Sequence, residues 1–141
     1  MTDLQKAVAG LDGHSICLCK GENIITSDHR GIMPMIELIE NGTDLSGYSV
    51  ADIIVGKAAA MLFVKANIAC VHGKVLSKPA ADFLKKNNIP FQYEILTDKI
   101  INRNGTDVCP MEKTVAELDD TEKAFKALKQ KLTGLRRKHN G

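Results

Sequence analysis

The sequence predicts an α/β domain built on a mixed sheet, and two patterns carry that prediction. Two short apolar runs separated only by Lys20-Gly21-Glu22 have the spacing of an antiparallel hairpin. Further on, strand-like and helix-like runs alternate, the order that sets neighbouring strands parallel. With 141 residues, 44% of them hydrophobic, the chain is long enough to bury one substantial core. Residues 1–132 are expected to form that single domain, with helices over 110–132, and residues 133–141 to form a basic tail without fixed structure.

The elements follow in order. Thr2 can cap a helix over residues 3–11, where Leu4, Ala7, Val8 and Leu11 recur at helical spacing and Gly13 breaks the pattern. Residues 15–19 and 23–26 are the hairpin strands. A helix over 32–40 tolerates Pro34 only in its first turn and stops at Asn41-Gly42. A strand over 48–54 leads into residues 56–66, so rich in Ala and large apolar residues that they predict a buried central helix. A strand over 69–75, a helix over 79–87 and a strand over 91–96 complete the alternation. Residues 99–107 are polar loop, and helices are expected over 110–118 and 121–132. There is no internal repeat and no low-complexity segment.

Composition narrows the classes of function. Nineteen basic and 17 acidic side chains leave a net charge of +2, too even for a dedicated nucleic-acid binder. Aromatics are 4% and Trp is absent, so base stacking is poorly served, and the terminal Arg136-Arg137-Lys138-His139 reads as a solvated cluster. No apolar run approaches a membrane span and the N-terminus has no apolar leader segment, which predicts a cytoplasmic protein with no membrane partner. The four cysteines lack framework spacing, which points to reduced thiols. Cys17 and Cys19 fall on one strand face and are expected to pack in the core.

Several residues carry candidate chemistry. Gly56-Lys57 opens the central helix, where free N–H groups, a positive dipole end and a cation suit phosphate or carboxylate; the competing reading is a solvated lysine beside a turn glycine. This is no phosphate loop, since Ala51 and Ala58 stand where Gly and Ser or Thr are required. Cys109-Pro110-Met111-Glu112 has the layout of a helix start, with Cys109 at the cap and Glu112 placed to bond back to the cap N–H. A thiol there is either a candidate nucleophile or merely a poor cap. Asp52, among apolar neighbours, calls for a partner, with Lys57 or Arg103 as candidates, in a salt bridge or an acid/base pair. Ser77 ends a strand where parallel sheets collect ligands, or else caps the next helix. His72 is expected at the surface or in a turn.

The order of elements, with Asp52-Ile53-Ile54-Val55-Gly56-Lys57-Ala58-Ala59-Ala60, Val75-Leu76-Ser77 and Asp107-Val108-Cys109-Pro110-Met111-Glu112, resembles a family of small proteins of unknown function, DUF1893, with a cytidine-deaminase-like fold. The resemblance runs to about Leu118. It implies a three-layer α/β/α domain whose mixed sheet combines an antiparallel hairpin with parallel strands, and a pocket where the deaminase site would lie. It also implies a departure: Lys57 stands where a zinc ligand belongs, Ala59 where the acid/base Glu belongs, and Lys78-Pro79-Ala80-Ala81 where two ligating Cys belong. An ammonium and a methyl cannot hold zinc or shuttle a proton. The expectation is therefore a zinc-free domain with no metal or other cofactor, binding a small anionic metabolite, nucleotide-like by fold analogy. Gly56, Lys57, Asp52, Ser77, Arg103 and Glu112 are its candidate ligand-binding residues and Cys109 its candidate nucleophile. The alternatives are a non-catalytic sensor and an interaction module with a vestigial pocket. A homo-oligomer is compatible with either.

Overall fold

Thr2 starts the first helix, α1 (Asp3–Gly10), through a capping box in which its side chain accepts from the Gln5 N–H and the Gln5 side chain accepts from the Thr2 N–H. The computed structural model describes residues 1–102 and 105–140. Strands β1 (Ile16–Lys20) and β2 (Asn23–Ser27) pair antiparallel across the Gly21-Glu22 turn, with Leu18 opposite Ile25. Helix α2 (Met33–Glu40) accepts Pro34 in its first turn. Strand β3 (Ser49–Val55) then runs antiparallel to β1 and feeds the central helix α3 (Lys57–Lys65). Strand β4 (Cys70–Ser77), helix α4 (Lys78–Lys86) and strand β5 (Phe91–Thr97) complete a five-stranded sheet in the order β2-β1-β3-β4-β5. The last three strands are parallel, as the alternation of strand and helix predicts. Two helices follow, α5 (Pro110–Val115) and α6 (Thr121–Asn140).

Helix α3 is central because every residue from Ala58 to Phe63 is buried. It packs on α4 and α6, joining Leu18, Val50, Leu76, Leu84 and Leu128 in the main core. Small alanines let the neighbouring helices approach, while Met61, Leu62 and Phe63 fill the space between them and the sheet. A second, smaller core lies under α1, where Ala7 and Leu11 meet Cys17, Cys19 and Ala51. Both cysteines are fully buried, and burial pushes the Cys17 thiol up, helped by its neighbour Cys19. Gly10 lies so close over Cys17 that an added Cβ would come within 2.7 Å of the sulfur.

Three departures from sequence expectation concern the course of the backbone and the sheet. Helix α6 continues to Asn140, so residues expected as a tail extend the helix begun at Thr121. Residues 99–107 are not uniformly loop, because Ile101 and Val108 form an isolated antiparallel bridge. His72 is neither surface nor turn: it sits mid-strand in β4, 6% exposed, between the Gln92 amide at 2.8 Å and the Glu94 carboxylate at 3.2 Å.

Candidate functional site

The parallel strands β3, β4 and β5 end at Val55, Ser77 and Thr97, and two residues beyond each end stand Lys57, Pro79 and Lys99, which line one cleft. Ligands of open α/β sheets gather at this carboxyl edge because loops and helix starts converge there. The cleft measures about 390 Å³. Helix α4 supplies Asp82, Phe83 and Lys86 to its wall; the segment after β5 supplies Ile100 and Val108; α5 and the residues after it supply Glu112, Ala116 and Asp119.

Its inner end is the start of α3. Gly56 is the N-cap residue, in extended conformation and with no side chain to satisfy the helix's free N–H groups. The carboxylate of Glu112 does so instead, accepting from the Lys57 N–H at 2.7 Å and the Ala58 N–H at 2.9 Å. A Cβ on Gly56 would overlap that carboxylate, so the glycine is there for close approach. Burial raises the Glu112 pKa; the two N–H donors, and then the Lys57 charge, pull it back without cancelling the rise. The Lys57 ammonium reaches across to the Ala116 carbonyl at 3.1 Å. The anion seat expected at Gly56-Lys57 is thus occupied by a side chain of the protein itself.

This arrangement corrects the helix-start reading of residues 109–112. Glu112 does not return to the Cys109 N–H, which donates instead to the Ile100 carbonyl at 2.9 Å. The Cys109 side chain makes no capping hydrogen bond, is half-buried against the main core, and lies outside the cleft lining. Asp52 is also outside the lining. It has no ion pair among the described residues; Lys57 is committed to Ala116, and Arg103 falls outside the described residues. Burial pushes the Asp52 pKa up to about 8, against a smaller pull from the Ile53 and Ile54 N–H groups. Ser77 is fully buried and caps α4, its hydroxyl accepting from the Ala80 N–H at 3.1 Å.

Of the sequence candidates, the cleft therefore brings together Lys57 and Glu112 as lining, with Gly56 behind them. Asp82, Lys86, Lys99 and Asp119 were not singled out from sequence. Lys99 carried the one usable signal, its place just past a parallel strand. The side chains of Lys86 and Lys99 make no hydrogen bond or close ion pair among the described residues, although the Lys99 charge helps to hold the Asp98 and Asp107 carboxyls low, whereas Lys78, just outside the cleft, is held by Asp98 at 2.7 Å. No three His, Cys, Asp or Glu side chains converge as metal ligands among the described residues, and no helix there is long and apolar enough to cross a membrane.

Comparison with known proteins gives a consistent answer. The family model described as TM1506, Domain of unknown function (DUF1893), matches residues 5–132. The crystal structure of a DUF1893 family protein (TM1506) from Thermotoga maritima is 30% identical and superposes with a TM-score of 0.83 over 93% of this chain and 91% of that one. No curated protein matches the chain.

Proposed function

We propose, from the premise that the chain belongs to the DUF1893 family, that it is a zinc-free binding domain for a small anionic metabolite. One observation carries this reading. At the carboxyl edge of the parallel strands, an apolar wall of Pro79, Phe83, Ile100 and Val108 is rimmed by Lys86 and Lys99, whose ammonium groups make no hydrogen bond or close ion pair among the described residues, beside the carboxylates of Asp82 and Asp119. Apolar walls with a few placed charges are the ordinary make-up of a small-molecule site. The internal carboxylate of Glu112 fills the helix start, so the ligand's negative group belongs at the outer rim with Lys86 and Lys99.

The cytidine-deaminase-like reading of the fold belongs to this proposal. It is supported by α3 and α4 packing side by side, with Lys57 and Pro79 of their first turns meeting in the cleft where a deaminase would hold its metal. By that analogy the ligand is nucleotide-like. Binding requires no chemistry at Cys109.

Native mass spectrometry of the protein purified from its own source tests the proposal. The expected result is a co-purifying anionic adduct that is lost from the Lys86→Ala, Lys99→Ala double variant. Bare protein, together with no binding to a panel of nucleoside phosphates, would leave the cleft vestigial and favour an interaction module.

A further inference from the structure

The last strand of the sheet is an edge with apolar residues on display. Among the described residues strand β5 pairs with β4 alone, and its residues Tyr93, Ile95 and Leu96 are 44%, 60% and 40% exposed. Ile95 stands opposite Val75, which stands opposite Ile54, itself 51% exposed. Residues directly opposite in a ladder share a face, so these three β-branched side chains form one row across three strands, ending in the open at β5. Folded proteins usually blunt such an edge with lysine, proline or a covering segment, because its free N–H and C=O groups invite another strand. Strand β5 has no Lys, Arg or Pro, and its one charge, Glu94, is engaged by His72.

We propose that a second copy of this chain covers β5, pairing antiparallel edge to edge about a two-fold axis at Ile95. The strand's own sequence favours this occupant, because in that register it complements itself. Ile95 meets Ile95, Tyr93 faces Thr97, Glu94 faces Leu96, and no like charges are opposed. With the two-fold axis moved by one residue, to position 94, the same pairing would set two Glu94 carboxylates against each other, a destabilising arrangement. Centred on Ile95, the row of Ile54, Val75 and Ile95 continues without a break into its mirror order in the partner, and two five-stranded sheets become one of ten. A single seven-residue edge with its apolar row makes a small, reversible interface, below about 1,200 Å² in total, so the dimer forms with rising concentration.

Sedimentation velocity of the full chain across the micromolar range tests this. The expected result is a species of twice 15.4 kDa that grows with concentration and is lost in Ile95→Lys at unchanged circular dichroism. Should that variant unfold, Ile95→Cys decides. Directly opposed residues in an antiparallel pair have Cα atoms about 4.5–5.5 Å apart, within disulfide reach. Mild oxidation then links residue 95 to residue 95 of a second chain, while Ile24→Cys on the opposite edge does not link. A wild type that stays monomeric throughout, a dimer that survives in folded Ile95→Lys, or an Ile95→Cys protein that forms no such disulfide would overturn the proposal.

Discussion

The carboxylate of Glu112 closes the N-terminus of α3 by accepting from the backbone N–H groups of Lys57 and Ala58, 55 and 54 residues away in sequence. A short helix near the C-terminus thereby caps the central helix of the fold. The bond works only because Gly56 leaves room for it.

The first prediction is a coupling between these two positions. Glu112→Ala should destabilise by about 1–3 kcal/mol, since two helix-start donors lose a charged acceptor. Gly56→Ala should destabilise by a similar amount, about 1–3 kcal/mol, by pushing the carboxylate away. In the double variant the second change should cost little, because the group it collides with is gone. Urea denaturation of the four proteins checks this, and strict additivity would argue against a direct contact.

Asp52 predicts a pH dependence. Its folded pKa, about 8, lies above the ordinary 3.8, so the folded chain holds a proton that the unfolded chain releases. The stability this gives is fully present below about pH 4 and is lost as pH rises towards 8, roughly a tenfold fall in the folded-to-unfolded ratio per pH unit. Glu112, raised for the same reason, acts in the same direction. Asp52→Asn should flatten most of this slope, read from denaturation midpoints at steps across that window.

Ser77 gives a simpler case. Ser77→Ala removes the acceptor of the Ala80 N–H and should lower stability by about 1 kcal/mol, whereas Ser77→Thr or Ser77→Asp, which keep a capping oxygen, should be limited mainly by fit in a fully buried site. A loss of ligand binding in Ser77→Ala without any loss of stability would instead return Ser77 to the ligand site.

The binding reading makes its own prediction. Once a ligand is in hand, Lys99→Ala should weaken it by roughly tenfold to a hundredfold, the worth of one charge-assisted hydrogen bond, with the fold unchanged. Cys109→Ser should leave affinity as it was, because the thiol lies outside the cleft lining. Isothermal titration of both variants measures the contrast, and the reverse order of effects would restore Cys109 as a site residue.

What was legible in the sequence was what local physics decides. The hairpin follows from the short Lys20-Gly21-Glu22 connection between apolar runs, which the structure tightens to a Gly21-Glu22 turn, and the buried central helix from the density of Ala and large apolar residues over 58–63. The parallel order of β3, β4 and β5 follows from the helices between them. The site was less legible because its key bond is non-local. Glu112 looks like the third residue of a capping box on its own helix, and nothing in residues 109–112 says that the Ile100 carbonyl takes the Cys109 N–H first. His72 is polar beside Gly73 and Lys74, a local pattern of a turn, yet Gln92 and Glu94 from the next strand allow it to be buried.

The close seat of Gly10 on the Cys17 sulfur has a kinetic consequence. No reagent can slip between a helix and a thiol that leave no room for one more methyl group, and Cys17 is fully covered. Modification at that sulfur is therefore expected to wait for α1 to lift from the sheet at Gly10. The rate at which Cys17 is labelled in otherwise native protein is then set by that lifting, which makes this thiol a built-in clock for the opening of the N-terminal layer.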